Sequence, residues 1–173
     1  MAEICKAPEA AAQSLFVMAL SPVIRILRKT PVRTFIIFPL ITVAWELLWN
    51  WGELHLAPVY FPLMLWGYLQ YRLCGRYRIK RGGGGPGLEI PPERLVTTGP
   101  YAYARNPMYL GHIIFLTGVA LTLKSWLGGL IVLIAMVGSH RRVLGDEKRL
   151  SVRFGQPYRD YMERVKRWIP GLF

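Results

Sequence analysis

The apolar residues of this chain are gathered into long blocks, and basic segments separate several of them. A helix needs roughly 20 apolar residues to cross the hydrocarbon core of a bilayer. Four blocks come close to this length and carry few charges: 34–51, 56–74, 107–123 and 125–143. A fifth block, 11–27, is interrupted by Pro22 and Arg25, so it is either a short tilted span or a helix in the membrane interface. The pattern predicts an all-α polytopic membrane protein with four to five transmembrane helices.

The polar segments between the blocks predict the orientation. Lys and Arg residues follow blocks 11–27 and 56–74, which places both of these ends in the cytoplasm. The long polar segment 75–100 contains a run of Gly and Pro, so we expect a cytoplasmic loop there. Charged and apolar positions then alternate at helical spacing over 146–168, which predicts a C-terminal cytoplasmic amphipathic helix that bends near Gly155.

Composition supports a membrane domain and excludes other classes. Of the 173 residues, 53% are hydrophobic and only 18% are charged, against about a quarter charged in soluble domains. The formal net charge of +12 lies beside the apolar blocks, which favours anionic lipid headgroups as partners over nucleic acid. The three histidines lack the spacing of metal ligands, so no metal is expected. We therefore expect one membrane-embedded domain over residues 1–173.

Two groups of polar residues mark places where chemistry could occur. Arg105, Tyr109 and His112 fall on one helix face at the cytoplasmic end of a predicted span. Arg142 and the acidic pair after it lie where the last span leaves the membrane. Each group also has a simpler interpretation. Arg105 can extend to the lipid headgroups, and the second group can be a solvated charged boundary.

A third polar group, Glu46, Asn50 and Glu53, follows one face of another predicted span. At about 1.5 Å per residue, Glu46 lies roughly 20 Å from the basic end of that helix. The other two groups lie at the cytoplasmic side. We therefore expect Glu46 to pair within the helix bundle rather than to belong to the same site.

Residues 95–111, LVTTGPYAYARNPMYLG, resemble a signature of the membrane-integral methyltransferases. That group includes isoprenylcysteine carboxyl methyltransferase and the phospholipid N-methyltransferases. The stretch from Asp146 to Tyr161 resembles the second signature of the group, an acidic pair followed by Leu, Phe-Gly and two tyrosines, and Arg142 precedes it. Two positions differ, since Asn106 replaces the usual His and Asp146 replaces the first Glu. The N-terminal half is similar only in hydropathy.

The resemblance implies S-adenosylmethionine as the methyl donor and S-adenosylhomocysteine as its product. It implies a donor site from both signatures: Gly99, Pro100, Tyr101, Arg105, Asn106, Pro107, Tyr109, Gly111, Asp146, Glu147, Phe154, Tyr158 and Tyr161. Glu147 would suit the ammonium group of the donor and Arg105 its carboxylate, Gly111 would admit the ligand closely, and the C-terminal helix would close over the adenine. Arg142 and Glu147 are the implied catalytic residues. Arg142 would hold a carboxylate acceptor, and Glu147 or water would take the proton of an amine.

These implications define an expected function. The chain would be an S-adenosylmethionine-dependent methyltransferase acting on a lipophilic or membrane-borne carboxylate, amine or thiol. It would lie in the cytoplasmic membrane with its active site facing the cytoplasm, so that the acceptor enters from the lipid. Two alternatives stay open at this point: an NADPH-dependent membrane reductase of the sterol-reductase type, and a non-catalytic lipid-binding scaffold.

Overall fold

The computed structural model describes residues 27, 29–85 and 90–168, and its regular elements in these ranges are all helical. We number the five longer helices α1 (Thr30–Trp49), α2 (Phe61–Gly82), α3 (Pro107–Thr122), α4 (Trp126–Phe154) and α5 (Gln156–Arg164). Short 3-10 turns at Pro58–Tyr60 and Gly99–Ala102 precede α2 and α3. The all-α prediction is confirmed for this part of the chain. The predicted block 11–27 lies outside the described residues except for its last position.

Helix α1 changes its hydrogen-bond pattern along its length. It is α-helical over Thr30–Val32, π-helical over Arg33–Ile37 and α-helical again over Phe38–Trp49. Pro39 lacks the N–H that an α-helical ladder needs, and the ladder widens into the π-helical form just before it. The widened turn contains Thr34, which is buried.

Helices α2 and α3 pack with their backbones in contact. A Cβ atom on Gly111 would lie 2.8 Å from the carbonyl oxygen of Gly67 and 2.8 Å from the backbone nitrogen of Tyr71. About two turns further along the same interface, a Cβ atom on Gly118 would lie 2.7 Å from the backbone nitrogen of Met64. Both positions therefore admit only glycine, and they allow the two helices to approach more closely than larger side chains permit.

Two predicted boundaries are wrong. Helix α2 continues past residue 74 to Gly82, because the Lys and Arg residues there are good helix formers. The loop starts instead at Gly83, whose φ of +69° ends the helix. Helix α4 likewise runs without a break to Phe154, so residue 146 begins no new helix. The predicted bend is present at Gly155, which has φ +60° and separates α4 from α5.

Helices α1 and α4 are long and apolar enough to cross a membrane, judged by length and composition. Only 17% of the most apolar window of α1, and 11% of that of α4, is buried. Leu40 is 62% exposed and Ile134 is 61% exposed. A core helix of a soluble protein buries such side chains, so these outward apolar faces indicate contact with lipid. The finer prediction of four to five spans is taken up below.

Candidate active site

A cavity of about 880 Å³ lies where α1 begins and where α4 carries its charged residues. Its wall takes side chains from α1, α2, α3, α4 and α5 and from the loop before α3. Nine of the predicted donor-site and catalytic residues line it: Tyr101, Arg105, Asn106, Tyr109, Arg142, Asp146, Glu147, Tyr158 and Tyr161. Residues from the two signatures, far apart in sequence, therefore share one cavity.

Five residues of the predicted donor site do not line this cavity: Gly99, Pro100, Pro107, Gly111 and Phe154. Gly111 admits the backbone of α2 rather than a ligand, which corrects the role expected for it. Gly99 has φ +60°, and a Cβ atom there would lie 2.6 Å from the ring of Tyr77. Pro100 lies in the 3-10 turn, Pro107 starts α3, and Phe154 ends α4. These residues shape the backbone around the site.

Both oxygens of the Glu147 carboxylate are occupied by protein donors. Arg167 donates from Nε to Oε1 and Oε2, at 3.1 Å each, and from Nη2 to Oε2 at 2.8 Å. The Nε atom of Arg105 lies 3.1 Å from Oε1, and Asn106 donates to the same oxygen at 3.5 Å. The Glu147 side chain is 8% exposed, so these partners replace the water that a carboxylate would otherwise bind. The hydrogen bonds to Glu147 in turn raise the pKa of Arg167 above its usual value.

Arg167 belongs to a short segment after α5, residues 165–168, that the sequence analysis did not assign to the site. The backbone N–H of Arg105 donates to the carbonyl of Lys166 at 2.9 Å, and Asn106 donates to the carbonyl of Arg167 at 3.4 Å. Arg105 also donates from Nη1 to the carbonyl of Met162 at 2.8 Å. These bonds fix residues 162–167 against the first signature. The sequence had predicted an amphipathic helix over 146–168, with no role for Arg167.

Three buried tyrosines anchor α5 against the cavity. Tyr101, Tyr158 and Tyr161 are 6%, 2% and 3% exposed. Tyr161 donates to the carbonyl of Tyr101 at 2.6 Å, and Tyr101 donates to the carbonyl of Cys74 at 3.4 Å. Burial raises the pKa of all three hydroxyls above the usual value for tyrosine. They therefore stay protonated at neutral pH, and the hydroxyls of Tyr101 and Tyr161 act as hydrogen-bond donors.

Asp146 is the neighbour of Glu147 in sequence, but its surroundings are different. It is half-buried and lines the cavity, and Tyr109 donates to its Oδ2 atom at 3.0 Å. Arg142, one turn earlier in α4, donates to the hydroxyl of Thr30 at the start of α1. Within the second signature, Glu147 is therefore held by guanidinium groups, whereas Asp146 is held by the phenol hydroxyl of Tyr109.

His112 lies deeper in the same cavity, where three helices meet. It is 5% exposed, and its Nδ1 atom lies 3.2 Å from the hydroxyl oxygen of Thr34 in the π-helical turn of α1. Its ring centroid is 4.6 Å from that of Tyr71 and 5.1 Å from that of Phe35. Glu46, by contrast, does not line the cavity, and its carboxylate accepts a hydrogen bond from Asn50 at 3.0 Å, as expected for a residue that pairs within the bundle.

Positive charge dominates the cavity wall. The basic residues that line it are Lys29, Arg78, Arg94, Arg105, Arg141, Arg142 and Arg149. The acidic ones are Asp146 and Glu147. Such a wall attracts anionic groups and concentrates them near the site. Its volume falls within the range of pockets that hold small-molecule ligands, and its tyrosine rings offer flat apolar faces.

The comparisons with known proteins agree with the two signatures. Residues 85–155 match the family model described as phospholipid methyltransferase. A stretch of 77 residues is 34% identical to the protein-S-isoprenylcysteine O-methyltransferase of Schizosaccharomyces pombe (strain 972 / ATCC 24843), and it covers 44% of this chain. The same stretch spans 33% of that relative, so the chain matches about a third of its length. No solved structure matches this chain.

These matches fall on the part of the chain that carries the site. Residues 85–155 contain α3 and the residues of α4 that line the cavity, and these include both carboxylates of the site. The resemblance to membrane-integral methyltransferases, first indicated by the two signatures, is confirmed over this region. The family model and the Schizosaccharomyces pombe relative both have names that belong to the group of methyltransferases that the two signatures resemble.

Proposed function

We propose that this protein transfers a methyl group from S-adenosylmethionine to a lipophilic, membrane-borne acceptor. One observation carries the proposal: the two signatures meet at a single buried ion-pair cluster in the wall of one cavity. Arg105 and Asn106 come from the first signature and Glu147 from the second, and the three lie within hydrogen-bonding or ion-pair distance. A scaffold without a ligand has no evident need for this arrangement.

The residues around the cavity fit a donor of this kind. When bound, the donor supplies an electrophilic methyl group on a cationic sulfur. The cationic wall suits the carboxylate of its amino acid part, and Arg105 is the guanidinium that the first signature contributes to this wall. The rings of Tyr101, Tyr158 and Tyr161 suit its base and its sulfonium group. Glu147 holds Arg105 and Arg167 in place, and we assign it this positioning role instead of ammonium binding.

The route by which the acceptor reaches the cavity depends on how the helices lie in the membrane. We propose four to five spans, with the cavity near the cytoplasmic surface of the inner membrane. The supporting features are the apolar faces of α1 and α4, the basic residues at the cavity end of both helices, and the apolar α3 between them. A lipophilic acceptor would then enter sideways between helices, and Arg142 lies where its polar head would arrive.

Calorimetric titration of the purified protein in detergent micelles tests the donor site. We expect S-adenosylmethionine and S-adenosylhomocysteine to bind at micromolar concentrations, and Arg105→Ala to weaken both at least tenfold. Arg164→Ala is the matched control, because the Arg164 Nε atom donates only to a carbonyl of its own helix. NADPH binding without S-adenosylmethionine binding would instead favour a reductase, and binding of neither would refute the proposal.

A further inference from the structure

The adjacent carboxylates of Asp146 and Glu147 in α4 lie in different surroundings. Consecutive helix residues point about 100° apart, so Asp146 and Glu147 face different parts of the site. Glu147 meets two guanidinium groups and an amide. Asp146 meets one phenol hydroxyl, that of Tyr109, and it forms no ion pair among the residues that the structure describes.

This difference separates their chemical roles. The oxygens of the Glu147 carboxylate already face two guanidinium groups and an amide, so they have little room for a further group. A carboxylate with a single hydrogen bond keeps further lone pairs available to another group. Environments that differ in this way are how neighbouring acids acquire separate tasks in enzymes. Of the two, Asp146 is therefore the one suited to receiving a proton.

The groups around Asp146 come from four helices. Tyr109 of α3 is its hydrogen-bond donor. Arg78 of α2, Arg142 and Arg149 of α4, and Tyr158 of α5 act on it electrostatically. The tyrosines are neutral and the arginines are cationic. Once Asp146 is protonated, the groups around it carry a net positive charge. That charge favours release of the proton, which then passes to water at the cytoplasmic end.

We propose that Asp146 accepts the proton that the methyl acceptor loses, while Tyr109 holds the carboxylate in place. This inference rests on the proposed function. The acceptor heteroatom gives its proton to a carboxylate oxygen of Asp146 and keeps the lone pair. That lone pair forms the new bond to the methyl carbon as the bond from carbon to the donor sulfur breaks, and the electron pair of the broken bond stays on sulfur. The proton then passes from Asp146 to water.

The proposal specifies the chemical class of the acceptor. Its reacting group carries a dissociable proton, as a thiol or an amine does at neutral pH. A carboxylate acceptor has already lost its proton and would meet the negative charge of Asp146 directly. Three probes with the same twelve-carbon chain separate these classes: 1-dodecanethiol, dodecylamine and dodecanoate.

The first measurement is binding without catalysis, using the full chain in micelles. Because the proposal places Asp146 beside the acceptor instead of the donor, Asp146→Asn should leave the affinity for S-adenosylmethionine within about threefold, whereas Glu147→Gln should weaken it. The same Asp146→Asn change should weaken dodecylamine binding about tenfold, since a charge-assisted hydrogen bond is lost. Asp160→Asn is the control, because Asp160 lies on α5, is exposed and accepts a hydrogen bond from Gln156.

The second measurement is methyl transfer to each probe across pH. We expect transfer to the thiol or the amine, and we expect Asp146→Asn to lower it about 100-fold or more, as is typical when a general base is removed. The remaining rate of this variant should rise steadily with pH, because the acceptor must then lose its proton to water or hydroxide. Undiminished transfer in Asp146→Asn, transfer to dodecanoate alone, or bound donor with no transfer to thiol or amine would each overturn the inference. Absence of donor binding in the wild type would refute the proposed function instead.

Discussion

Removing the Arg167 guanidinium is the sharpest test of the ion-pair cluster at Glu147. In Arg167→Ala, the buried Glu147 carboxylate loses three hydrogen bonds and keeps only Arg105 and Asn106. The backbone bonds that fix residues 165–168 against the first signature lose the side-chain contact that supports them. We expect both the stability of the protein and the affinity for S-adenosylmethionine to fall.

The size of the effect follows from burial. The Glu147 side chain is 8% exposed and that of Arg167 is 27% exposed. Breaking a fully buried ion pair costs about 3–5 kcal/mol, and a hydrogen bond to a charged group contributes about 1.5–3 kcal/mol. Because Arg167 is partly solvated and Arg105 stays beside Glu147, we expect the free energy of unfolding to drop by about 2 kcal/mol. That is roughly a 30-fold change in the folding equilibrium.

Unfolding in mixed micelles, induced by titration with an anionic detergent and followed by tryptophan fluorescence, measures this free energy. Arg164→Ala is the control, with an expected change below about 0.5 kcal/mol as for most surface substitutions. If the two side chains act as a pair, Arg167→Ala combined with Glu147→Gln should cost much less than the two single changes added together. An effect of Arg167→Ala no larger than that of Arg164→Ala, or strict additivity in the double variant, would refute the reasoning.

Three further predictions concern packing and protonation. Gly111→Ala should lower the free energy of unfolding by about 1–3 kcal/mol, because its Cβ atom would meet the backbone of α2, while Gly129→Ala, with no atom within 4 Å, should not destabilise the protein in the same detergent titration. Thr34→Val should cost about 1–2 kcal/mol by leaving the His112 ring without its partner, whereas Thr117→Val, which removes a bond within one helix, should cost less. Burial raises the pKa of Tyr161, so the folded state holds its proton more tightly than the unfolded state. Its contribution is complete below the usual tyrosine pKa of about 10 and is lost as the pH rises further, so thermal unfolding above pH 10 should show a weaker alkaline decline in Tyr161→Phe than in the wild type.

The sequence predicted the helices far better than their ends. Hydropathy and helical spacing depend on local composition, and they located the helices α1, α2, α3 and α4. The boundaries at residues 75 and 146 were wrong because polarity was taken as the end of a helix. Long charged side chains are good helix formers, so a helix that leaves the membrane can continue into water until a glycine such as Gly83 or Gly155 turns the chain.

The sequence by itself carried the all-helical prediction and the resemblance to membrane-integral methyltransferases, since the apolar blocks and the two signatures are both local patterns that one chain displays without folding. It also named, as donor-site or catalytic residues, nine of the 25 residues that line the cavity, including both carboxylates. Only the tertiary structure decided their partners. It brought Arg167 to Glu147, left Asp146 to Tyr109 and turned Gly111 towards α2. The physical reason is that the charge state and role of a buried group depend on which distant segments pack against it, and spacing along the chain carries no record of that packing.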